Sequence, residues 1–178
     1  GVIAVIVVFQ PELRRFLVLF GTRYLSKSGI TLDNLFPSSS GLRRNIPINA
    51  IVKACINMAK ERTGALIALK RKSPLDVYEQ SGDILDAMIS SRLIESVFNK
   101  HSPLHDGAMI IISDKIRAAR CVLPVSDNFE LPANYGLRHR AAIGLTEETD
   151  ALVIIISEET GEISLAEAGR IKRVDTKV

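Results

Sequence analysis

The sequence predicts an α/β (α+β) fold, a mixed central β-sheet flanked by helices, and three observations carry that prediction. Runs of β-branched and apolar residues, "AMIIIS" (108–113) and "ALVIIIS" (151–157), are too uniformly apolar for a strand with one wet face. Such strands need cover on both faces, as a sheet between helix layers provides. Segments with helical spacing alternate with them. A gap as short as "DK" between "AMIIIS" and "IRAARCVLP" is a hairpin signal, so the sheet contains an antiparallel pair. Parallel and antiparallel strands are then mixed.

The elements follow in order. "GVIAVIVVF" (1–9) is wholly uncharged and gives way at once to "QPELRR". Nine residues do not span a bilayer, which takes about 20. Positive charge directly beyond an apolar run is the pattern of a cytoplasmic flank, and the run reads as the tail of a transmembrane helix, with a core or interface strand as the alternative. Residues 10–26 place Leu13, Phe16, Leu17, Phe20 and Tyr24 on one helical stripe behind Pro11. Residues 26–45, rich in Ser, Gly, Asn and Arg, read as a connector, so 10–45 is expected to be a membrane-proximal helix and linker.

The globular domain is expected over 46–170. "PINAIVKACINMAKERT" carries Ile48, Ile51, Val52, Cys55, Ile56 and Met58 at helical spacing, with Gly64 as the stop. "ALIALKR" is a strand and "GDILDAMIS" a short extended segment. Ser90 or Ser91 caps a helix carrying Leu93, Ile94, Val97 and Phe98. The hairpin follows, then a helix after Gly136, the strand "ALVIIIS", a turn at "EETG" and the strand "EISLAE". The basic stretch "RIKRVDTKV" is expected to be a frayed tail, with 171–178 outside the domain.

Composition limits the function classes. The chain has 178 residues, enough for one domain with a sizeable core, and its net charge of +3 says little about partners. With no Trp and 5% aromatics, a stacking platform for single-stranded nucleic acid is not expected. Cys55 and Cys121 share no short spacing and are read as buried free thiols in a reducing compartment. No zinc-ligand spacing, GxxxxGK[ST] loop, GxGxxG turn or kinase signature set occurs, which disfavours P-loop, Rossmann and kinase chemistry.

Three polar clusters interrupt the apolar pattern: His105-Asp106-Gly107, Arg138-His139-Arg140 and Ser157-Glu158-Glu159-Thr160-Gly161. Each has a plain reading, as a turn, a solvated basic face and a hairpin loop. Together they supply parts of one reaction. Two arginines about a histidine near a helix N-terminus suit a polyphosphate. A carboxylate beside an imidazole can hold a divalent metal and polarise a hydroxyl, and further carboxylates at a strand end can complete an oxygen-rich shell for Mg²⁺ or Mn²⁺. Phosphoryl or nucleotidyl transfer needs this set.

"SPLHDGAMII" and "RHRAAIGLTEETDALVIIISEETGEIS", with "GALIAL" and "CVLPVS", closely resemble the diadenylate cyclase (DAC) domain, whose hallmarks are a DGA and an RHR motif. The resemblance runs from about Ile46 to about Arg170. It implies the DAC fold, ATP as substrate, and condensation of two ATP into 3′,5′-linked cyclic di-AMP with release of two pyrophosphates. Asp106 would help activate the ribose 3′-OH and lie at a Mg²⁺ or Mn²⁺ ion with His105 and Glu159. Arg138, His139 and Arg140 would bind phosphates. Gly107, Ala108, Ser157 and Glu158 would contact the nucleotide, and Leu66 and Leu123 would wall the adenine pocket. "VIVVFQPELRR" is similar to the junction after the last transmembrane helix of the family's membrane-anchored branch, implying a bacterial cell membrane with the domain on its cytoplasmic side. Each ATP must attack the other, which implies a second copy of the chain facing the first. Where many members carry Thr before RHR, this chain has Leu137. That departure leaves an ATP-binding sensor or scaffold on the same fold as the alternative, and a purely structural membrane-proximal domain as a third.

Overall fold

The computed structural model describes residues 46–174. The expected transmembrane tail (1–9), membrane-proximal helix and linker (10–45) and the last residues of the basic tail lie outside that range. The described elements are α1 (Ile48–Lys60), β1 (Ala65–Leu69), α2 (Asp76–Glu79), β2 (Asp83–Met88), α3 (Ser91–Phe98), β3 (Ala108–Ile112), β4 (Lys115–Cys121), α4 (Leu137–Glu148), β5 (Leu152–Ile156), β6 (Ile163–Glu167) and β7 (Arg170–Arg173). No described helix is long and apolar enough to cross a membrane.

The seven strands form one sheet in the order β2-β4-β3-β1-β5-β6-β7. Only β1 and β3 run parallel, and every other neighbouring pair is antiparallel. The sheet is mixed, as the residue pattern predicts. Side chains alternate across it with period two. Ala65, Ile67, Met109, Ile111, Ile154 and Ile156 pack with Ile51, Cys55 and Met58 of α1 and Ile94, Val97 and Phe98 of α3. Leu66, Ala68, Ala108, Ile110, Val153 and Ile155 pack on the other face with Ala142 and Leu145 of α4. This is why "LVIII" is apolar at every position. Each fully buried aliphatic side chain contributes roughly 1.5–3 kcal/mol. Both cysteines are free and buried. Burial pushes the Cys55 thiol up to about 11 and the Cys121 thiol to about 12.

Ser90 is the cap of α3, its side chain accepting from the Leu93 N–H. Four expectations need correction. α1 stops at Lys60 without using Gly64: Arg62 takes φ 51°, its N–H bonds to Ala59 O, and the Thr63 N–H bonds to Met58 O. That is a Schellman ending built on an arginine. Ile48, Val52 and Ile56 share the helical periodicity of α1 but lie on its exposed side. The hairpin loop between β3 and β4 is Ser113-Asp114, one residue earlier than expected. The basic stretch is not frayed through Arg173, because Arg170–Arg173 pairs with β6 across a two-residue Ala168-Gly169 turn with both φ angles positive. The short α2 was not foreseen.

Candidate functional site

The register of the central strands decides what meets what. β1 begins beside the start of β3 (Ile67 opposite Met109) and beside the end of β5 (Ala65 opposite Ile156). β4 ends beside the start of β3 (Cys121 opposite Ala108). One end of the sheet therefore carries His105-Asp106-Gly107, Gly64, Ser157-Glu158-Glu159 and the segment leading to Leu123. Two strand spacings separate the start of β3 from the end of β5, about 10 Å.

α4 brings the third cluster to the same end. Arg138 Nη1 donates to Glu158 Oε2 at 3.0 Å. The pair lies over Gly64, where a Cβ would come within 3.1 Å of Arg138 Cζ and 3.0 Å of Glu158 Cβ. Gly64, expected from the sequence to stop a helix, instead lies beneath this ion pair, and its place directly before a buried strand was the available signal. The helix itself is set by the "CVLPVS" segment. A Cβ on Gly144 would strike Pro124 O at 2.2 Å, and the Ser126 N–H bonds to Arg140 O at 3.1 Å. Contiguous burial of Ala142–Thr146 anchors the rest of α4 and leaves its first turn exposed or half-buried. Gly136, at the N-cap, has no side chain to accept the first-turn N–H groups. Those donors and the helix dipole are open to an anion.

Gly107 has φ 122°, and a Cβ there would meet Arg120 C at 2.8 Å and Cys121 O at 2.9 Å. The cause lies in β4, where Arg120 takes φ 55° and an extra residue shifts the register. Such bulges re-aim side chains beside functional sites. Asp106 is exposed and makes no hydrogen bond or ion pair to any described residue. His105 is half-buried, its Nδ1 2.7 Å from Ser102 O. A carbonyl only accepts, so Nδ1 carries the proton in this contact, and Nε2 is the ring nitrogen left without a partner among the described residues.

Ser157 Oγ accepts from the N–H groups of Glu159 (3.3 Å) and Thr160 (3.2 Å), which leaves its own proton to donate outward. Gly161, at φ 75°, lies against the end of α1, where a Cβ would sit 2.4 Å from Ala59 O. His139 stacks on Tyr135, ring centroids 5.0 Å apart and 13° from parallel. Burial holds its imidazole below the ordinary histidine range, against Glu162 and Glu159, which act the other way. The Arg140 side chain has no ion-pair partner among the described residues. Leu137 is 77% exposed at the first position of α4.

The expected adenine walls are core residues first, Leu66 being 3% and Leu123 6% exposed, and Ala108, expected to contact the nucleotide, is 0% exposed. Among the described residues no group of three or more His, Cys, Asp or Glu side chains is gathered at metal-binding distance. The unengaged Nε2 of His105 and the free carboxylate of Asp106 nonetheless suit a divalent ion that takes its remaining ligands from phosphate or water.

The family model described as "DisA bacterial checkpoint controller nucleotide-binding" (DAC) matches residues 52–171. Cyclic di-AMP synthase CdaA of Bacillus subtilis is 42% identical over 174 residues, 97% of this chain and 61% of that protein. This chain thus spans about three-fifths of that relative's length. A double mutant of DacA from Staphylococcus aureus has the same fold, with a TM-score of 0.71 and 44% identity over 72% of this chain and 86% of that one. A hypothetical membrane-spanning protein from Bacillus cereus also matches, with a TM-score of 0.71 and 37% identity over 74% of this chain and 64% of that one. With its mixed seven-stranded sheet and the family match across its described core, the chain belongs to the DAC family of DisA-type nucleotide-binding domains.

Proposed function

We propose that the chain is the catalytic part of a diadenylate cyclase, residues 46–170 forming the cyclase domain. The reaction condenses two ATP into 3′,5′-linked cyclic di-AMP and releases two pyrophosphates. The observation that carries this reading is the meeting of three polar clusters at one end of the sheet, where the start of β3, just after Asp106, and the end of β5, just before Ser157, stand two strand spacings or about 10 Å apart. That separation suits a ribose at one side and a triphosphate at the other.

In each of two equivalent steps, the 3′-oxygen of one ATP bonds to the α-phosphorus of the other, and the bond from that phosphorus to the bridging oxygen of pyrophosphate breaks. Asp106, exposed and unpaired, takes the hydroxyl proton. Arg140, the open first turn of α4 and the Ser157 hydroxyl hold the phosphates and stabilise charge as pyrophosphate leaves. Arg138, already directed by Glu158 over Gly64, adds a second guanidinium. Gly107 lets the backbone at the start of β3 approach the nucleotide, beside Ala108, Leu66 and Leu123. His105 and Asp106 would hold a Mg²⁺ or Mn²⁺ ion, which would supply charge neutralisation at the phosphates and acidify the 3′-hydroxyl; Glu159, the expected third ligand, stands on the turn beyond β5, two strands away. One domain holds one ATP, so the reaction requires two copies face to face. The apolar N-terminal run would tether the domain to the cytoplasmic side of a bacterial membrane.

The test is incubation with ATP and Mn²⁺ or Mg²⁺, followed by chromatography for a cyclic dinucleotide. Product is expected. The second reading, an ATP-binding sensor or scaffold, rests on Leu137, which removes a hydroxyl at the mouth of the site. ATP binding without product, in a chain shown to pair, would favour it.

A further inference from the structure

The stack of Tyr135 on His139 has no counterpart among the motif residues, and it sits where the site is least constrained. Gly136 separates the 127–135 loop from α4 and offers no capping side chain. The loop turns just before the helix, the Tyr135 N–H bonding to Pro132 O at 3.0 Å. Tyr135 then lies back over the helix start, its ring 5.0 Å from that of His139 and 13° from parallel. These values fall within the favourable range for offset-stacked rings. Spacing is one residue short of a hydrophobic staple, in which the residue before the N-cap closes on the fourth helical residue.

His139 needs such a contact. Among the described residues neither of its ring nitrogens is hydrogen-bonded, so no hydrogen bond fixes the plane of the imidazole and the stacked ring is its directional contact. Arg138 is directed by Glu158, and Arg140 is steadied through its carbonyl by Ser126. His139 lies between them, and the ring of Tyr135 gives it an equivalent support. The phenol hydroxyl of Tyr135 has no partner among the described residues, so the face of the ring rather than its oxygen is what the contact uses.

We propose that Tyr135 is a positioning residue: by stacking on His139 it fixes the imidazole plane and the entry of the chain into the first turn of α4, where the triphosphate is bound. The proposal rests on the cyclase reading for its catalytic consequence, while the stack itself can be tested separately. Proton NMR of the three histidines should show the His139 ring protons displaced by the tyrosine ring current. In Tyr135→Ala and in Tyr135→Leu, which keeps apolar bulk without a π-face, they should move toward the His101 values. Both variants should form cyclic di-AMP with kcat lowered about 10-fold and KM for ATP within about 3-fold of wild type, since misplacement of a reacting geometry acts on the chemical step. Tyr135→Phe should restore both the displaced resonances and the rate.

An unshifted His139 resonance in the wild-type chain would overturn the stack. A Tyr135→Leu variant as active as wild type, or a Tyr135→Phe variant as impaired as Tyr135→Ala, would overturn the positioning role. Absence of product from the wild-type chain would count against the cyclase reading alone. The positioning role would then stand or fall on the complex with a non-hydrolysable ATP analogue, in which the His139 ring protons should stay displaced in wild type and Tyr135→Phe and move toward the His101 values in Tyr135→Leu.

Discussion

The two ends of the sheet differ in how completely they pair charge, although Arg138–Glu158 and Arg120–Asp83 are ion pairs at the more open one. At the end where β1 and β3 finish, polar groups are paired off. Asp150 accepts from the backbone N–H groups of Lys72 (3.1 Å) and Ser73 (2.8 Å), Arg71 pairs with Glu167, and Asp86 binds both Lys115 (2.8 Å) and Arg117 (2.6 Å). At the end where β1 and β3 begin, Asp106 and Arg140 have no charged partner among the described residues, and the first turn of α4 lacks a side-chain cap. A fold that satisfies its polar groups at one end shows by contrast that it can do so. Open donors and an open carboxylate collected at the other end are the groups that the proposed binding of ATP would use.

That contrast can be broken from either side. The largest effect is expected from Asp106→Asn, which should lower cyclic di-AMP formation by at least about 100-fold if the carboxylate takes the proton. Because Asp106 is exposed and unpaired, thermal unfolding should show the midpoint unchanged. Arg140→Ala comes next. ATP binding measured by calorimetry should weaken about 10- to 100-fold, the range for a charged hydrogen-bond donor, again with the fold intact.

The opposite end should respond in the reverse sense. Asp150→Ala removes two backbone contacts and should cost about 1–2 kcal/mol in urea unfolding, with product formation by the folded protein unchanged. Burial alone would push the Asp150 carboxyl up, but the bonds from Ser73 and Lys72 outweigh it and hold the group below its ordinary value. The unfolded chain then takes up the proton first as pH falls. The Asp150 contribution is present above about pH 4 and is lost as pH drops through the lower folded value, so unfolding followed across pH 5 to 2 should be shallower in the variant. The smallest effect is expected from Leu137→Thr. A hydroxyl at the exposed first position of α4 should tighten ATP binding by about 5-fold, the equivalent of one hydrogen bond of about 1 kcal/mol, and no change would remove the main argument for the sensor reading.

Much of the fold was legible because periodicity reports burial directly. "LVIII" and "AMIII" are apolar at each position, and both faces of β5 and β3 are covered. The misses have local causes. Arg62 ends α1 in a conformation usually left to glycine, so the nearest glycine was the wrong marker. The turn into β7 is Ala168-Gly169, a weaker signal than Asn-Gly, and the strand beyond it is basic at three of four positions, as suits a sheet edge. The polar clusters were legible as departures from an apolar pattern. Gly64 and Tyr135 were not, because a glycine's close approach and a ring stack involve partners far away or on an irregular loop.

The sequence alone determined the alternation of elements, the burial of both sheet faces, and the residue types available for chemistry, since each depends on neighbours within a few positions. Tertiary structure decided the rest. The order β3-β1-β5, set by hydrogen bonding between strands remote in the chain, puts the start of β3 and the end of β5 at one end of the sheet. The packing of Gly144 on Pro124 turns the open end of α4 toward them. Register and helix docking are sums over many distant contacts, and no window of the sequence contains them.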